Sequence, residues 1–68
     1  MKMVQTQCTK VDLMRVYHRR MWKKYREDNG PRLGAMERFH QDAENICRAL
    51  LIENGYRNED FQDPEETP

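Results

Sequence analysis

The sequence predicts an all-α fold, an antiparallel two-helix hairpin, from three observations. Two amphipathic segments of about twenty residues each flank the run Asp28-Asn29-Gly30-Pro31. In both segments apolar residues recur at spacings of three and four. Elsewhere only a weak alternation over Met1, Met3 and Gln5 resembles a strand. Asn and Gly suit the left-handed end of a helix, and Pro suits the first turn of the next one. The expected organisation is a short N-terminal segment over 1–8, a helical hairpin over 9–56 and a flexible acidic tail over 57–68.

Helix 1 is expected over about 9–28. Thr9 can cap it, with Asp12 returning the bond, and Cys8 and Leu13 stand at hydrophobic-staple spacing. Val11, Met14, His18, Met21 and Tyr25 then share one face, bordered by Trp22. After a turn at 29–31, helix 2 is expected over about 32–54. Met36, Phe39, Ala43, Ile46 and Leu50 form its stripe, widened on one side by Leu33, His40, Cys47 and Leu51. Asn54-Gly55-Tyr56 reads as a left-handed helix end, with Tyr56 folding back on Leu51. The two stripes are expected to pack against each other. In the tail, Phe61 is the residue expected to dock.

Sixty-eight residues make one domain at most. A chain this short buries little core, and small domains usually add disulfides, a metal or a second subunit. With two cysteines, Cys8 and Cys47, and no apolar leader or membrane-length run, a reduced cytoplasmic protein is expected. Self-association into a helical bundle is then the expected way to complete the core. Leu13, Val16 and Tyr17 lie off the main stripe of helix 1. With Trp22 they are the expected surface for a second copy or a protein partner.

The formal net charge of zero hides an uneven distribution. Residues 9–30 carry seven basic and three acidic side chains, whereas 56–68 carry one basic and five acidic. Arg15, Arg19, Arg20, Lys23, Lys24 and Arg26 follow one another without an intervening acid. Such a row can neutralise phosphates, and Trp22 can stack on a base, so nucleic-acid binding is the alternative to protein binding. The acidic tail can fold across the same basic face.

Chemistry of other kinds finds no support. Cys47 has His40 seven residues away and apolar neighbours, the pattern of an inert buried thiol. No Cys-x-x-Cys or His-x-x-x-His pair pre-organises a metal, and no Gly-rich phosphate loop is present. No catalytic residue, metal or cofactor is therefore assigned. A turn centred at 29–30 does bring His18 and His40 close across the hairpin, where they are expected to pack within the helix interface, the alternative being a pair sensitive to mild acid. Helix 1 is too long for a ribbon-helix-helix plan, and a helix-turn-helix needs a third helix. In size and make-up the chain is similar to the small accessory proteins of bacteriophages, many of which bind a host protein. That likeness implies a non-enzymatic, stoichiometric regulator.

Overall fold

The computed structural model describes residues 2–30 and 34–62. Two helices, α1 (Gln5–Asn29) and α2 (Ala35–Glu53), pack side by side and antiparallel. A 3₁₀ turn, η1 (Asn58–Asp60), follows α2. No strand is present among the described residues. The molecule is a slab measuring 38 × 29 × 16 Å.

α1 starts four residues earlier than Thr9 and Asp12 imply. The Val4 amide donates to Gln7 Oε1 at 3.1 Å, so Gln7 supplies the returning bond expected of Asp12. Thr9 instead bonds back to the Gln5 carbonyl, as a hydroxyl inside a helix does. α1 ends at Gly30, whose φ of +63° is easy only for glycine and whose amide reaches the Arg26 carbonyl. The expected Pro31 start of the next helix lies outside the described residues. α2 begins at Ala35, behind an N-cap of Gly34.

The end of α2 follows the sequence closely. Gly55 takes φ +94°, its amide bonds to Ile52 and the Tyr56 amide bonds to Leu51, the two bonds of a Schellman ending. Asn54 adds a long-range tie, accepting a bond from the Met3 amide while donating to the Leu50 carbonyl. The chain then doubles back. The Gln62 amide donates to Asp12 Oδ2, its carbonyl accepts from Arg15, and Phe61 packs on Tyr56. The described tail, 57–62, is thus docked rather than free; residues 63–68 lie outside the described residues.

The inward faces sit one residue from the main expected stripes, and on α2 they take in His40, Cys47 and Leu51, the expected widening of the stripe on one side. On α2 the buried positions are Glu37, His40, Glu44, Cys47 and Leu51, each directly after Met36, Phe39, Ala43, Ile46 and Leu50. On α1 the inward side carries Asp12, Arg15, Arg19 and Trp22, each directly after Val11, Met14, His18 and Met21. One residue is about 100° of helix rotation. Both helices turn their apolar stripes toward the same side of the slab and bury a mixed, ionic seam instead. Met14, Met36, Phe39 and Ile46 are left about half exposed or more.

Candidate functional site

The buried seam is organised around one guanidinium. Arg15 has no exposed surface. Its Nε donates to Asp12 at 2.9 Å, Nη1 to Glu44 at 3.1 Å and Nη2 to the Gln62 carbonyl. Glu44 is equally committed: Oε2 also faces Arg19 and Arg48, and Oε1 accepts the Trp22 indole N–H at 2.8 Å. The Phe61 ring lies 5.0 Å from the Arg15 guanidinium and 4.7 Å from that of Arg48, both cation–π distances. A buried charge needs such complete pairing, since an uncompensated one is very costly.

The seam places several expected contact residues out of reach. Arg15 is wholly enclosed, so it cannot touch a phosphate, and Arg19 is turned inward onto Glu44. Arg20, Lys24 and Arg26 are exposed, and Lys23 is half-buried. Val16, expected at the surface, is buried; it lies one turn from Asp12, which holds Gln62. Trp22 is half-buried and held by Glu44. Of the four expected partner-surface residues, Leu13 and Tyr17 are well exposed, each at 55%.

The other side of the slab is different in kind. Tyr17 and His18 on α1 meet Phe39 and His40 on α2 through ring contacts of 5.1 to 6.2 Å. Tyr25 stacks on His40 at 5.7 Å, with the planes only 10° apart. Around this cluster Leu13, Met14, Met36 and Ile46 are exposed. Helical spacing sets Met14 and Met21 beside Tyr17 and His18, and Met36, Ala43 and Ile46 beside Phe39. The result is one aromatic and aliphatic face spanning both helices.

At its inner edge the two histidines touch. His18 Nδ1 and His40 Nδ1 are 2.8 Å apart, so one ring donates and the other accepts. His40 is buried and His18 half-buried. Burial, then repulsion from His40, lowers the His18 pKa below its ordinary 6.5.

Neither cysteine is placed for nucleophilic work. Both are free and buried. Burial raises the Cys47 pKa above its ordinary value, with Arg15 opposing the rise and Glu44 adding to it. Its thiol therefore stays protonated at neutral pH. Among the described residues no three His, Cys, Asp or Glu side chains converge on a metal-sized site. No described helix is long and apolar enough to cross a membrane.

Sequence reasoning missed Met14, Met36, Phe39 and Ile46 as surface residues because it placed them in the hairpin core. A signal was present one position on: Asp12 and Arg15 on α1 face Glu44 on α2, a complementary set within an otherwise plausible seam. No family model, curated protein or solved structure matches this chain.

Proposed function

We propose that the chain is a non-enzymatic interaction protein that self-associates and acts stoichiometrically on a protein partner. The observation that carries this reading is the uncovered face formed by Leu13, Met14, Tyr17, Met36, Phe39 and Ile46. A domain is ordinarily at least two layers thick around one core, and a 16 Å slab is a single layer.

A second copy is the occupant that fits. With large side chains offering about 150–250 Å² each, six that are half exposed present on the order of 600 Å² per copy. Two copies face to face then bury on the order of 1,200 Å², within the range of specific interfaces. Lys10 and Lys24 stand on the α1 side of the face, while Asp42 and Glu53 border the α2 side. A two-fold arrangement laying α1 on the second copy's α2 brings these opposite charges together and forms a four-helix bundle. Two free, buried thiols fit a reducing, cytoplasmic setting. Size and make-up fit a phage-type accessory or regulatory protein acting on a host factor.

Light scattering at micromolar concentration tests self-association. A dimer is expected, converted to monomer by Phe39→Asp; a wild-type monomer defeats the reading. Nucleic-acid binding is the weaker alternative, because Arg15 is enclosed and Arg19 is paired with Glu44. A titration with labelled DNA and RNA at low salt separates the two. Binding whose affinity falls steeply with salt and is lost in Arg20→Ala/Lys24→Ala/Arg26→Ala favours that alternative.

A further inference from the structure

We infer that the His18–His40 pair is a proton-operated switch on the self-association face, holding the face closed-packed near neutral pH and opening it in mild acid. This rests on the self-association reading above. The geometric basis is the Nδ1–Nδ1 contact of 2.8 Å between the two helices. It tolerates zero or one added proton. With none, one ring donates its N–H to the other's lone pair. With one, the same bond becomes charge-assisted. With two, both nitrogens carry N–H groups pointed at each other, and two cations stand in contact. The second proton therefore forces the rings apart.

The surroundings decide what that separation does. From α1 the pair is flanked by Tyr17, Tyr25 and, one turn back, Arg15; from α2 by Phe39, Glu37 and Glu44. Arg15 and Glu44 are committed to each other at 3.1 Å. Glu37 is buried one turn before His40, and its Oε1 has no hydrogen-bond partner among the described residues. It can balance one positive charge on that seam, leaving the second without a counterion. Tyr17 and Phe39 ride directly on the two imidazoles, at 5.2 Å from His18 and 4.9 Å from His40. Displacing the imidazoles displaces the two aromatic rings at the centre of the face. It also sets a charge beneath an apolar interface, where desolvation penalises it.

Dissociation follows the proton that leaves both Nδ1 atoms carrying N–H groups across the 2.8 Å contact. The order is consistent with the downward shift at His18, whose causes are burial and then His40.

The test is sedimentation velocity with parallel far-UV circular dichroism at about pH 7.5 and about pH 5, on wild type, His18→Gln and His40→Gln. The expected result is a wild-type dimer at the higher pH and association weakened by about tenfold or more at the lower, with helix content kept. His18→Gln, which retains polar groups but cannot take the proton, is expected to associate equally at both. His40→Gln repeats the test should His18→Gln fail to fold. A wild-type dimer equally tight at both pH values overturns the switch and leaves self-association standing. A wild-type monomer at both overturns self-association and the switch with it. Full pH dependence retained in both variants also overturns the switch.

Discussion

The two sides of this slab invert the usual relation between polarity and burial. The side closed by residues 57–62 contains Asp12, Arg15 and Glu44, all bonded and buried, and the half-buried Trp22, bonded to Glu44. The open side contains Tyr17, Phe39, Met14 and Ile46, all more than half exposed. The difference lies in what each side has available as cover. Phe61 stacks on two guanidinium groups and Gln62 presents both of its backbone polar groups to Asp12 and Arg15. A segment of that chemistry complements an ionic seam, and it would leave polar groups unpaired against methionine and isoleucine. The described chain has no equivalent segment for the apolar side.

The largest expected effect breaks the closed side. Glu44→Ala leaves Arg15 buried with one partner fewer and orphans the Trp22 indole, a loss of about 3–5 kcal/mol. For a small domain holding about 5–15 kcal/mol in total, that is a large fraction of its stability. Urea unfolding followed by circular dichroism measures it, and an unchanged midpoint would show that the ionic seam is incidental. Phe61→Ala is next. Two cation–π contacts of about 0.5–1 kcal/mol each set a loss of about 1–2 kcal/mol by the same assay.

Gly55→Ala tests the turn that sends the tail back over the seam. Its φ of +94° is strained for alanine, and an added Cβ meets no non-neighbouring atom within 4 Å, so the cost is conformational, roughly 1–2 kcal/mol.

A smaller effect sharpens the boundary between the sides. Because the folded-state pKa of His18 lies below its ordinary 6.5, the unfolded chain binds more protons below that pH. Stability is therefore full above 6.5 and declines as pH falls from 6.5 toward the depressed value. His18→Gln is expected to flatten this decline in thermal melts across the same range. Ile46→Asp on the open side, where Ile46 is 69% exposed, is expected to change monomer stability least, within about 0.5 kcal/mol, while abolishing association in light scattering. A large stability loss there would mean the face is already part of the core.

Much of the fold is legible in the sequence, for local reasons. Three-four periodicity announces both helices, and Gly30 and Gly55 mark their ends because few other residues accept positive φ. The His18–His40 contact follows from counting residues outward from the turn. The start of α1 was obscured because Thr9 and Asp12 imitate a cap while Gln7 provides one. The candidate surface was only half legible. Leu13 and Tyr17 are where their spacing puts them, but Val16 and Arg15 are enclosed.

By itself the sequence determined two antiparallel helices, their approximate lengths and the Schellman ending, because each depends on neighbours within a few residues. Tertiary structure decided which of two adjacent stripes on each helix faces inward. Those stripes differ by one residue, and both present side chains able to fill a seam. The choice is tied to pairings across the chain: Arg15 with Glu44, 29 residues on, and Gln62 with Asp12, 50 residues back. Periodicity within a helix carries no information about such partners, yet a buried guanidinium is stable only when all of them are in place.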